Sequence, residues 1–195
     1  MVEKEIVVTV RIPEGINFTV EGHNVTIKTD KGEYSREFKS HRLVLEKKGQ
    51  DLVLVGSPVN KQTRALLNTV VAHLKNMIIG LKFGYKYTMK ISYSHFPMTA
   101  EVKGNEVIIK NFIGEKFPRR AKIAGDAKVE IKGQDITITG NHLEEVSQTA
   151  TNIEQRTKVK GKDIRRYTDG IYLESRENQE EVTEDFGLQT IRGRE

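Results

Sequence analysis

The 195-residue sequence has no cysteine, no tryptophan and no apolar run long enough to cross a membrane. The lack of cysteine excludes disulfide bonds, thiolate metal ligands and a cysteine nucleophile. The N-terminus carries acids at Glu3 and Glu5 and only a short apolar run, which is typical of neither a secretory signal nor a transit peptide. Since a spanning helix needs roughly 20 apolar residues, we predict a cytoplasmic protein with no membrane partner.

Motifs for catalysis are also missing. The five histidines are not spaced as metal ligands, and no zinc-protease, dinucleotide, P-loop or calcium-loop pattern occurs. The adjacent Glu144 and Glu145 are better explained as charges that complement a helix dipole than as a catalytic pair. The sequence therefore predicts no enzyme, no cofactor, no metal and no small-molecule substrate.

The chain repeats itself. Residues 20–28 (VEGHNVTIK) align with 102–110 (VKGNEVIIK), and 48–52 (KGQDL) align with 132–136 (KGQDI). The offset is 82 residues at the first match and 84 at the second. A period this long is not that of a solenoid, so it indicates two tandem copies of one small domain.

Each copy has the pattern of an α+β fold, in which short alternating strands precede one amphipathic helix. In the first copy Ser57 is the predicted N-cap, Pro58 the first helical residue and Gly80 the end of the helix. In the second copy Asn141 and Glu144 have the spacing of a capping box. We predict two tandem duplicated domains, at 1–84 and 85–175, each a small, mostly antiparallel sheet packed with a helix.

Acidic residues are concentrated at the C-terminus. Residues 174–195 contain seven acids and three bases, whereas the whole chain has a net charge of +5. The same stretch has few apolar residues and no periodic apolar face. We predict that 176–195 is a flexible acidic tail.

A dense cationic segment follows the second predicted helix, and Asp163 is the only acid within it. Its cations are Arg156, Lys158, Lys160, Lys162, Arg165 and Arg166, directly followed by Tyr167. Such cations repel one another unless an anionic partner is close, and a nucleic-acid backbone rewards them by counterion release. The alternative is a solvated, mobile basic loop. Since only 7% of residues are aromatic, we expect backbone and shape contacts rather than extensive base stacking.

A second basic group lies in the same copy, in a predicted loop at Lys116, Arg119, Arg120 and Lys122. Arginine forks suit bidentate phosphate contacts, while lysines act as point charges. His95, at the junction of the two copies, has two open interpretations: a phosphate contact, or a hydrogen bond that fixes the turn before Pro97. Asp169 and Gly170 are predicted to form a turn in which Asp169 braces Arg165 or Arg166.

Three segments carry a resemblance to a known family. Residues 80–85 (GLKFGY), 92–97 (SYSHFP) and 155–176 resemble the universal large-subunit ribosomal protein six family in its archaeal form. The resemblance implies a two-domain, non-catalytic protein docked on large-subunit rRNA near the base of the factor-binding stalk, with large-subunit proteins as neighbours. It also implies RNA contacts at Lys158, Lys160, Lys162, Arg165, Arg166 and Tyr167.

Two alternatives come from other functional classes. An RNA-binding regulator outside the ribosome would be recovered with short RNAs rather than with large subunits. A protein-interaction module would use sheet edges and the acidic tail, and its affinity for RNA would be negligible and insensitive to salt.

Overall fold

The computed structural model describes residues 5–13, 16–29, 32–163, 165–177 and 191–192. The chain divides into two compact units. The first comprises Met1–Lys82 with a short C-terminal strand, and the second comprises Phe83–Glu180. The ranges 1–84 and 85–175 stay predictions of the bounds of the two domains.

The first unit contains seven strands and one helix in the described residues. They are β1 Ile6–Arg11, β2 Asn17–Glu21, β3 Asn24–Thr29, β4 Gly32–Glu37, β5 Leu43–Lys48, β6 Asp51–Gly56, α1 Lys61–Lys82 and the C-terminal strand Ile191–Arg192. The strands form two antiparallel sheets, one in the order β2-β3-β4 and one in which β5, β6, β1 and the C-terminal strand are adjacent. Helix α1 packs on β1, β3, β4 and β6.

The second unit repeats this order of six strands and a helix, and its seventh strand follows the helix after a loop of thirteen residues. Its elements are β7 Tyr85–Ser92, β8 Thr99–Lys103, β9 Glu106–Lys110, a 3-10 turn at Phe112–Gly114, β10 Arg119–Lys122, β11 Lys128–Lys132, β12 Asp135–Gly140, α2 Leu143–Arg156 and β13 Gly170–Glu177. The C-terminal strand of the first unit is therefore β14. The sheets have the orders β10-β9-β8 and β11-β12-β7-β13, so the predicted fold class is confirmed, with two sheets per unit instead of one.

Three predicted helix boundaries are wrong. Helix α1 begins after Asn60, whose Oδ1 accepts a hydrogen bond from the Thr63 amide at 2.7 Å, so Asn60 replaces Ser57 as the cap. It continues through Gly80 because the apolar face extends to the buried Leu81. The N-cap of α2 is His142, one residue after the predicted Asn141.

The predicted acidic tail is only partly described. Strand β13 continues to Glu177, and β14 pairs antiparallel with β1 through Val8 with Arg192 and Thr9 with Ile191. In each unit, one of the two strands that pair with the first strand therefore follows the helix in sequence. These strands are β14, which pairs with β1, and β13, which pairs with β7. The remainder of the tail lies outside the described residues, so its flexibility stays a prediction.

The two copies differ where the two sheets within each unit contact each other. This contact joins β2 to β5 in the first unit and β8 to β11 in the second. In the first unit Phe18 is buried, and the Lys47 ammonium lies 4.4 Å from its ring and donates to its carbonyl at 2.7 Å. The repeat places Ala100 and Ile131 at these positions in the second unit. An open groove of about 490 Å³ lies there, lined in part by Ala100 and Ile131.

We predict that Phe18→Ala lowers the free energy of unfolding by about 3–5 kcal/mol, because it removes a buried ring from a packed core. Denaturant titration of the whole chain measures the effect. Val44→Ala is the control, since Val44 is 54% exposed and its loss should cost less than about 0.5 kcal/mol. Equal stability of the two variants would contradict this assignment of the core.

Candidate nucleic-acid interface

The basic segment is a loop whose two ends are tied together. Thr157, the buried residue that ends α2, accepts a hydrogen bond from the Ile171 amide at 3.0 Å. Its hydroxyl also contacts the Ile153 and Glu154 carbonyls at the helix C-terminus. Residues 158–170 therefore leave and re-enter the unit at one fixed point.

Most cations of this loop are exposed. Lys158, Lys160, Lys162, Arg165 and Arg166 are all solvent-exposed, and Gly161, with φ +70°, supplies a left-handed turn between the second and third of them. Within the described residues, no ion pair is recorded for Lys158, Lys160 or Arg166. Their charge is therefore not neutralised by a carboxylate in the described part of the chain.

Asp163, rather than Asp169, braces Arg165. Its carboxylate accepts hydrogen bonds from the Arg165 backbone amide, Nε and guanidinium nitrogen, at 3.0, 3.1 and 3.0 Å. Hydrogen bonds from the Arg165 side chain and then its backbone hold the pKa of Asp163 below its ordinary value. The Asp163 carbonyl also accepts from the Arg166 and Tyr167 amides, which fixes the turn.

Asp169 instead holds a second loop in place. Its side chain is 2% exposed and accepts hydrogen bonds from the Ser94 and His95 amides at 3.1 and 3.4 Å, with His95 Nδ1 at 3.5 Å. Burial acts to raise the pKa of Asp169, but these hydrogen bonds together outweigh it and leave the pKa below its ordinary value. The prediction that Asp169 braces Arg165 or Arg166 is therefore wrong.

The His95 ring contacts both Asp169 and the basic loop. It stacks on Tyr167 with centroids 4.8 Å apart, and the Lys162 ammonium lies 4.5 Å from the Tyr167 ring centroid. The Ser94 and Thr168 hydroxyls are 2.6 Å apart in the same joint. Because the Asp169 carboxylate faces Nδ1, the half-exposed imidazole keeps Nε2 for another partner.

A third segment, 111–119, packs against the 94–97 loop. Asn111 Nδ2 donates to the Pro97 carbonyl at 2.9 Å, and a Cβ added at Gly114 would lie 3.2 Å from the Phe96 ring. Gly114 has φ +76°, so a side chain at this position would be strained by the backbone and would have to displace the Phe96 ring slightly.

The second basic group has two different roles. Arg119 donates to both Glu115 carboxylate oxygens at 2.7 and 2.5 Å and to the Arg156 carbonyl at 2.5 Å, so its guanidinium ties two segments together. The hydrogen bonds from Arg119 to the Glu115 carboxylate, with the charge of the guanidinium, hold the pKa of Glu115 below its ordinary value. Lys116, Arg120 and Lys122 are exposed, although Arg120 lies 3.7 Å from Glu106.

The segment from Arg119 to Lys122 is also a strand rather than a loop. Strand β10 pairs with β9, and Ala121 is fully buried between its charged neighbours. Alternation of charged and small residues gave too weak an apolar signal to predict a strand.

The structure therefore brings the sequence-predicted site residues into one unit. Asp169, at the end of the basic loop, binds the 94–97 loop, and Phe96 of that loop lies beside Gly114. Arg119, in the same segment as Gly114, donates to the carbonyl of Arg156, just before the basic loop. Sequence reasoning missed Thr157 and the true role of Asp169.

The described residues contain no helix long and apolar enough to span a membrane, and no cluster of His, Cys, Asp and Glu side chains arranged to hold a metal.

We predict that Asp169→Asn lowers the free energy of unfolding by about 1–3 kcal/mol at pH 7, because a buried charged acceptor is lost. The folded pKa lies below the unfolded one, so as pH falls the unfolded chain takes up the proton first. The stabilisation is thus complete above about pH 5 and shrinks as pH falls through and below about 3.9. Urea titrations of both proteins at pH 7 and pH 3 measure it. An equal difference at both pH values would contradict an ionised Asp169.

Comparison with known proteins places this arrangement in a family. A family profile described as Ribosomal protein L6 matches residues 96–170, which include the His95-adjacent loop, β10, α2 and the basic loop. A large ribosomal subunit protein uL6 from Methanobrevibacter smithii is 45% identical over 168 residues, covering 86% of this chain and 94% of its own. Proteins of the same name from Ignicoccus hospitalis and Archaeoglobus fulgidus are both 47% identical, covering 86% and 84% of this chain and 93% and 86% of theirs. Because these archaeal relatives match nearly their whole length, the chain belongs to the uL6 family of large ribosomal subunit proteins.

Proposed function

We propose that this chain is a structural component of the large ribosomal subunit that binds large-subunit rRNA through the second unit. The observation that carries this proposal is the exposed cationic loop 158–170, fixed at both ends by the hydrogen bond from Ile171 to Thr157. The relatives are named as large-subunit components, and that name describes a structural role rather than an enzyme.

The contacts we propose are to phosphates. Lys158, Lys160, Lys162 and Arg166 carry the exposed charge, with Arg165 oriented by Asp163. Lys116, Arg120 and Lys122 extend the cationic surface across β10, and Arg156 lies where Arg119 joins the two groups. Each phosphate neutralised releases counterions, so binding should weaken steeply with salt.

In this proposal His95, Tyr167 and Arg119 have supporting roles. Tyr167 is occupied by its stack with His95 and by Lys162, so it positions these groups. His95 can still donate from Nε2 to a phosphate. Arg119 acts through its bonds to Glu115 and Arg156, which hold the two cationic groups together.

The placement near the base of the factor-binding stalk, and neighbouring large-subunit proteins as further partners, are part of the same proposal. Sedimentation of a cell lysate separates it from its alternatives. Migration with large subunits at low salt and release at high salt supports it. Recovery only in the soluble fraction at low salt would favour an RNA-binding regulator or a protein-interaction module.

We predict that Arg165→Ala with Arg166→Ala weakens binding to purified large-subunit rRNA and reduces the salt dependence of the binding constant by about one unit per lost phosphate contact, hence by about two. The loss in affinity should therefore be largest at low salt. Filter binding across a salt series measures both quantities.

The matched control is Lys61→Ala with Arg64→Ala, two exposed cations in the first turn of α1. It removes the same charge from the first unit and should leave the slope unchanged. If both double variants changed the slope equally, the loop would not be a specific contact and only net charge would matter.

A further inference from the structure

Phe117 is the most exposed large hydrophobic side chain among the described residues. Its exposed fraction is 85%, compared with 54% for Val44, the next. A single exposed hydrophobic residue is ordinary on a protein surface. Phe117 differs because it projects from a segment that the surrounding contacts hold in a fixed shape.

Both sides of Phe117 are fixed. On one side the Glu115 amide donates to the Phe112 carbonyl at 3.0 Å, closing the turn. On the other side Arg119 grips the Glu115 carboxylate and lies 4.1 Å from the ring of the fully buried Phe112. Residues 116–118 therefore connect two anchored points, so the backbone at Phe117 has little conformational entropy to lose when its ring contacts a partner.

The charge around Phe117 indicates the chemistry of that partner. Lys116 precedes it, and Arg120 and Lys122 follow on β10. The nearest carboxylate in sequence, Glu115, is neutralised by Arg119. The Phe117 ring with cations around it fits a ligand that presents an aromatic face next to phosphates. An apolar protein pocket is less favourable, because its binding would remove water from these charged side chains.

We propose that Phe117 stacks on an unpaired base of the bound RNA, at the β10 end of the cationic surface. This inference rests on the proposed function and adds a contact that no charge argument assigns. Single-stranded bases splayed out of a loop or bulge are the elements that protein aromatic rings contact in RNA. Base stacking contributes about 1–3 kcal/mol per base, and it leaves the salt dependence unchanged since no cation is involved.

The absence of tryptophan allows a direct test. In the full chain, Phe117→Trp creates a single tryptophan at the proposed contact, and Val102→Trp places one at another exposed site, 41% exposed on β8 beside Glu101. Titration with purified large-subunit rRNA should quench the emission of Trp at 117 in a saturable way and leave Trp at 102 nearly unaffected. Saturating RNA that left both emissions unchanged would overturn the inference.

Affinity supplies the second measurement. Phe117→Ala should weaken rRNA binding by about 5- to 150-fold with the same salt slope as the wild type. Phe117→Leu keeps apolar volume without a π face and should be nearly as weak, while Phe117→Tyr should bind as the wild type does.

The outcomes distinguish loss of rRNA binding from loss of the stacking contact alone. Wild-type protein that fails to bind rRNA would overturn the proposed function itself. Wild-type binding with no loss in Phe117→Ala would overturn only the stacking contact. Wild-type rRNA affinity in Phe117→Ala, with weakened incorporation into complete subunits that Phe117→Leu restores, would indicate a protein pocket as the partner instead and would also overturn the proposal.

Discussion

The buried carboxylate of Asp169 is the constraint on which the proposed interface depends. An ionised group at 2% exposure is costly unless hydrogen bonds replace water, and the amides of Ser94 and His95 supply them. The same bonds join the end of the basic loop to a segment about 75 residues earlier in the chain. The stack of His95 on Tyr167 and the packing of Phe96 on Gly114 both rely on this joint.

The two copies differ in the segment that follows each helix. In the first unit α1 ends at Lys82 and β7 begins at Tyr85, so the helix leads almost directly into the next strand. In the second unit α2 ends at Arg156 and β13 begins at Gly170, and the basic loop occupies the interval. The hydrogen bond from the Ile171 amide to the Thr157 hydroxyl joins the two ends of this thirteen-residue loop, so the loop protrudes while β13 stays paired in its sheet. Asp163 and Glu115 are each paired with an arginine, and among the described residues Lys158 and Lys160 form no ion pair.

Local signals predicted much of this arrangement. The duplication, the apolar face of α1 and the cation cluster are all encoded in short stretches of sequence, and each was recovered from them. The role of Asp169 was not, because its partners are remote in sequence and an Asp-Gly pair has an equally good local explanation as a turn. Strand β10 was missed because its only buried side chain is Ala121, and the α1 cap was missed because Ser57-Pro58 matched the helix-start pattern better than Asn60. The exposure of Phe117 had no sequence signal, since a phenylalanine between Lys116 and Pro118 could equally have been part of the core.

The central claim is that segments scattered over the second unit act as one RNA-binding surface. Lysine-reactivity footprinting of the full chain, free and bound to purified large-subunit rRNA, tests it most directly. The account predicts joint protection of the lysines on both basic segments, with unchanged reactivity at Lys61 and Lys75 of α1; the protected set is Lys116, Lys122, Lys158, Lys160 and Lys162. Protection confined to α1, or to only one of the two basic segments, would contradict a single surface.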